Sequence, residues 1–114
     1  MAEVRMNDYQ EKAYQTAAYG DQAVYPFMAL AEEAGEVLGK IAKYTRKNQQ
    51  QPDFNNLPDD LKDSLVSELG DVLWNTAVAA QEINVTLEDL AEANLAKLQG
   101  RVQRNTIVGE GDDR

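Results

Sequence analysis

The chain has 114 residues, 43% of them hydrophobic, with 20 acidic side chains against 11 basic ones and a formal net charge of −9. That length predicts a single domain with one modest core, and so acidic a surface argues against duplex nucleic acid or an anionic membrane as partner. There is no Cys and no His, so disulfides, thiol nucleophiles, Cys/His zinc sites and Ser-His-Asp triads are excluded, leaving carboxylates, Lys, Arg, Tyr and hard metal ions for any chemistry.

Residues 1–10 lack an apolar signal core and no apolar run approaches membrane-spanning length, which predicts a cytoplasmic protein. The first helix is expected over residues 7–19, where Met6, Tyr9, Ala13 and Ala17 recur at helical spacing before Gly20 and Asp21 interrupt it. Pro26 suits the first turn of a second helix, expected over 26–46 with Phe27, Leu30, Ala34, Val37, Leu38 and Ile41 as its apolar stripe. Residues 47–56 are polar and read as a loop. A third helix is expected over 58–82, with Leu61, Leu65, Leu69, Val72, Leu73, Thr76 and Ala80 on one side. Thr86 resembles an N-cap, with Asp89 completing a capping box, and opens a fourth helix over 87–101 that buries Leu87, Leu90, Ala91, Leu95 and Leu98. Residues 102–114 read as an extended tail. No strand pattern intervenes, so the expected fold is all-α, a four-helix bundle.

Two acid-x-x-acid pairs stand inside the central helices, Glu33 with Glu36 and Glu68 with Asp71. Residues three apart are neighbours on a helix surface. Spacing alone is weak evidence, because Asp60 with Asp63 and Asp89 with Glu92 match it too, and the plain reading is a solvated acidic face. Rotation and height add to it. Glu33 and Glu68 each lie roughly 90–100° from the midline of their own apolar stripe, in the same sense. Antiparallel packing then brings both pairs to one side of the seam, each roughly 17 Å from the connecting loop. Four converging carboxylates are costly without a cation, and they suit Mg²⁺, with Mn²⁺ as an alternative. Lys40 and Lys43 share that flank, although pairs such as Glu36 with Lys40 are ordinary surface features. Asn94, Lys97 and Arg101 fall on one face of the fourth helix, a combination suited to polyphosphate.

The segments Leu30-Ala31-Glu32-Glu33-Ala34-Gly35-Glu36-Val37, Glu68-Leu69-Gly70-Asp71-Val72-Leu73-Trp74 and Asn94-Leu95-Ala96-Lys97-Leu98-Gln99-Gly100-Arg101 resemble, in that order, the MazG-like nucleoside triphosphate pyrophosphohydrolases. The resemblance covers about residues 8–114 and is closest to the compact single-domain type of bacteria and phages, which makes 1–114 one MazG-like helical domain. It implies Mg²⁺ held by Glu33, Glu36, Glu68 and Asp71, and hydrolysis of a nucleoside triphosphate to monophosphate and pyrophosphate. It also implies a homodimer or homotetramer, a preference for deoxynucleotides and a role in nucleotide-pool control. Glu36 or Glu32 would contact the attacking water; Asn94, Lys97, Arg101 and Lys43 would face substrate; Trp74 would stack on a base, although a lone Trp on a helix more often serves a core or interface. The stretch between Glu36 and Glu68 is longer than in many members. The alternatives are a non-catalytic acidic helical interaction module and a carboxylate-metal phosphatase that releases orthophosphate.

Overall fold

The computed structural model describes residues 3–104. Its regular structure is four helices, α1 (Met6–Gln15), α2 (Tyr25–Asn48), α3 (Asp59–Glu82) and α4 (Leu87–Gln103), with no strand among the described residues. None of these helices is long and apolar enough to cross a membrane. The all-α expectation is met, with shifts at the helix ends that have local causes.

The first helix stops at Gln15, four residues before the expected end. Thr16 caps it, its hydroxyl donating to the Ala13 carbonyl at 2.7 Å, while the Thr16 and Ala17 amides turn back to carbonyls three residues earlier. Ala17 therefore packs on the core from a loop and not from the helix. Gly20 lies in that loop at φ +62°, a left-handed backbone that favours glycine. Pro26 sits in the first turn of α2 as expected. The helix runs on through Asn48 until Gln49 adopts a left-handed conformation at φ 52°. Pro58 caps α3, whose first turn carries Asp59 and Asp60 toward the positive end of the helix dipole.

The hairpin of α2 and α3 is the longest packed unit. Lys47 and Asn48 share a cleft with Pro58 and Leu61 near the loop, Lys40 lies opposite Glu68, and Glu33 opposite Asp71. That register is antiparallel. The buried core lies beyond it, where Ala13 of α1, Ala77 and Val78 of α3 and Leu87 of α4 meet, with Tyr9, Tyr19 and Trp74 packed against them. Gln10 joins the elements there: its side-chain amide donates to the carbonyls of Ala77 (3.1 Å) and Val85 (2.9 Å), and its carbonyl accepts from the Leu87 amide (3.0 Å).

Thr86 is the N-cap of α4, accepting from the Asp89 amide at 3.0 Å as the capping pattern predicts. Two expectations for α4 are corrected. It does not end at residue 101 but continues through Gln103, because an interior glycine such as Gly100 weakens a helix by about 1 kcal/mol without terminating it. The rest of the predicted tail, 105–114, lies outside the described residues. Nor is the whole predicted face buried: Leu87 is, but Leu90 and Ala91 are exposed and Leu95 is 66% exposed. The cause is that α4 packs on α1 and α3 and makes no contact with α2.

Candidate metal centre and the cavities beside it

The hairpin register decides which acids can meet. Carboxylate oxygens of Glu33, Glu68 and Asp71 all lie within 4.8 Å of one another, Glu33 and Glu68 half-buried and Asp71 exposed. Three of the four expected ligands are therefore brought together. Glu36, one turn further along α2, is exposed and stands outside that group, as does Glu32.

The cluster is electrostatically uncomfortable. Loss of solvent and the charges of Asp71, Glu68, Glu32 and Glu36 hold the Glu33 carboxyl above its ordinary range. Lys40 is the one cation paired to the cluster among the described residues, its Nζ 3.7 Å from Glu68 Oε1. A three-oxygen, nitrogen- and sulfur-free set with excess negative charge fits a hard divalent cation.

A cavity opens on either side. Toward α1, a space of about 360 Å³ is lined by Ala18, Tyr19, Tyr25 and Trp74. The rings of Tyr19 and Tyr25 stack 5.7 Å apart at 22°. Trp74 lies one turn beyond Asp71; its indole N–H donates to Thr16 Oγ1 at 2.8 Å while its ring rests on the core. Toward the hairpin loop, a cleft of about 440 Å³ is lined by Lys40, Lys43, Lys47, Asn48, Asp60 and Ser64 among others. Lys47 and Asn48 fall in what the polar composition predicts as loop; the one available signal was the helical spacing of Lys40, Lys43 and Lys47.

The α4 residues are placed differently. Asn94 and Lys97 are exposed and Arg101 is 5% exposed. Because α4 does not pack on α2, the trio is not brought against Glu33 within one chain.

Residues 27–105 match the MazG nucleotide pyrophosphohydrolase domain. The chain is 36% identical to the Gene 37 protein of Mycobacterium phage L5, over 89% of this chain and 96% of that one. It is 32% identical to the uncharacterized protein YvdC of Bacillus subtilis (strain 168), over 90% of this chain and 93% of that one. No solved structure matches. The family match spans α2 through α4 and so takes in all three clustered carboxylates: the chain belongs to the MazG nucleotide pyrophosphohydrolase family.

Proposed function

We propose that this chain is a Mg²⁺-dependent nucleoside triphosphate pyrophosphohydrolase, with Mn²⁺ as a competent substitute, that releases a nucleoside monophosphate and pyrophosphate. The observation that carries the reading is the meeting of Glu33, Glu68 and Asp71 across the hairpin of a family member. These residues would hold the cation, which supplies charge neutralisation and Lewis acidity toward the α-phosphate. Glu36 and Glu32, whose charges are felt at Glu33, would orient the attacking water. Trp74, with Tyr19 and Tyr25, offers a face for a base.

Asn94 and Lys97, both exposed, would serve substrate from a second copy, since α4 does not reach α2 in its own chain; Arg101, 5% exposed, would have to turn outward to join them. That requires the homo-oligomer, a dimer or tetramer, that the resemblance implies. Deoxynucleoside triphosphates in the cytoplasm are the expected substrates, for nucleotide-pool control by one domain spanning 1–114. The test is hydrolysis of a triphosphate panel in ¹⁸O-water with and without Mg²⁺. The expected result is metal-dependent release of pyrophosphate with the label on the monophosphate. Orthophosphate as product would replace the reading with a phosphatase, and no turnover with any triphosphate would leave an interaction module.

A further inference from the structure

The geometry points to the lysine cleft at the loop end of the hairpin as the subsite for the β- and γ-phosphates, and so for departing pyrophosphate. This rests on the pyrophosphohydrolase reading and adds to it a direction for the substrate. In a chain of net charge −9, three of the eleven basic residues line one cleft. Lys40, Lys43 and Lys47 follow at i, i+3 and i+7 on α2, so they share a face. Asp60 is the one acid in the lining. Neither Lys43 nor Lys47 has a carboxylate within ion-pair distance among the described residues. Ser64 adds a hydroxyl from α3. A local reversal of charge with free ammonium groups is what a polyanion needs.

Position supplies the second argument. Lys40 joins the cleft to the carboxylates through Glu68 at 3.7 Å, so the cleft begins where the metal centre ends. Along α3, Trp74, Asp71, Glu68 and Ser64 follow in order over ten residues, about 15 Å of axis. Aromatic cavity, carboxylates and lysine cleft thus form a line in the order of base, α-phosphate and terminal phosphates. The reverse orientation would put the terminal phosphates against Tyr19, Tyr25 and Trp74, which supply no cation. Bound the other way, the triphosphate carries its leaving group into the basic cleft, where Lys43 and Lys47 stabilise the charge it acquires.

The experiment is calorimetric titration of pyrophosphate without Mg²⁺ into the wild type, a Lys43→Ala/Lys47→Ala variant and a Lys43→Arg/Lys47→Arg variant, alongside KM for the triphosphate. The alanine variant should weaken pyrophosphate by roughly tenfold or more per lysine, the loss of one charge-assisted hydrogen bond each. It should raise KM for the triphosphate while leaving monophosphate affinity unchanged, and the arginine variant should retain most binding. Equal pyrophosphate affinity in wild type and alanine variant would overturn the assignment. Weakened pyrophosphate with an unchanged triphosphate KM would also overturn it, since the cleft would then take only free pyrophosphate. A wild type that binds pyrophosphate through these lysines yet hydrolyses no triphosphate would leave the anion subsite standing and remove the enzymatic reading instead.

Discussion

Glu33 stands on α2 and Glu68 and Asp71 on α3, so the antiparallel hairpin that brings the three together also imposes their mutual repulsion. Changing Glu33 or Glu68 to Gln, or Asp71 to Asn, should lower kcat by orders of magnitude if the proposed centre is correct, because each would remove a proposed ligand while preserving shape. Glu36→Gln is the informative fourth variant: an undiminished kcat would define a three-carboxylate centre, and a comparable loss would mean that Glu36 turns inward when metal and substrate bind. The three-acid meeting is legible in the sequence, as a rotation about each helix and a height along it. The exclusion of Glu36 is not, since i+3 spacing puts it on the same flank without saying how far the seam extends. A second residue-scale feature lies at the end of α3. Tyr19 donates to Glu82 Oε1 at 2.5 Å and Tyr14 donates to the same oxygen at 3.2 Å. Burial and the bond to Glu82 push the Tyr19 phenol well above its ordinary value near 10. The folded state then keeps a proton that the unfolded chain releases above pH 10, so this contribution is complete below pH 10 and is lost as pH rises toward the folded pKa. Tyr19→Phe should lose less stability between pH 9 and 11 than wild type in urea titrations; parallel curves would sink the assignment.

At the scale of elements, α1 is held by Gln10 as well as by the apolar packing of Ala13 and Tyr9. Gln10 is 3% exposed and bonds three backbone groups, one in α3, one in the turn and one at the start of α4. Beside it, the Asn7 amide donates to Glu88 Oε2 and the Glu88 amide donates to Asn7 Oδ1, at 3.1 and 3.0 Å. Replacing Gln10 with Leu keeps the volume but strands those groups, at about 1–3 kcal/mol for each one left unsatisfied. We expect a loss of about 2–5 kcal/mol in urea unfolding, and a change under about 0.5 kcal/mol would show that water satisfies them. Nothing in the neighbourhood of Gln10 announces this role, because its partners lie 67 to 77 residues away. The same distance explains the misplaced end of α1: Thr16 is fixed by Trp74, 58 residues on. By contrast, α2 and α3 are legible almost to the residue. Their apolar periodicity is long, Pro26 and Pro58 mark their starts, and a polar loop separates them. Lys47 and Asn48 escape because polar composition at a helix end looks the same whether the last turn is wound or not.

The whole molecule is not closed on itself. Its radius of gyration is 17.0 Å, against about 13 Å for a compact chain of this size. Phe27, Ala31, Ala34 and Leu38 form an exposed apolar row on α2, and Val66, Leu69 and Leu73 form another on α3 at matching heights. Leu38 is 68% exposed, Val66 64% and Leu69 54%. The expected apolar stripes of both helices are therefore correct in period, but in one chain part of each faces solvent. Gly35, Gly39 and Gly70 belong to the same two helices, turned roughly 70–110° from these rows, and a Cβ added at any of them would meet nothing within 4 Å. Each costs its helix about 1 kcal/mol relative to Ala without any neighbour among the described residues to require it. Exposed rows and open glycines together suit a second hairpin packed close, completing a four-helix core from two chains. Light scattering at micromolar concentration should give at least twice the 12.7 kDa chain mass. Leu38→Lys with Val66→Lys should split that assembly, because two ammonium groups cannot be buried unpaired at its centre. Divalent metal should act on the same equilibrium from the other side of the hairpin. A cation that binds only the folded carboxylate cluster adds RT ln(1 + [L]/Kd), about 1.4 kcal/mol at tenfold excess and several degrees in Tm. Glu33→Gln should raise the metal-free Tm by relieving repulsion and shrink the Mg²⁺ increment. A wild-type Tm indifferent to Mg²⁺ and Mn²⁺, together with a monomeric mass, would remove both the metal centre and the two-chain core.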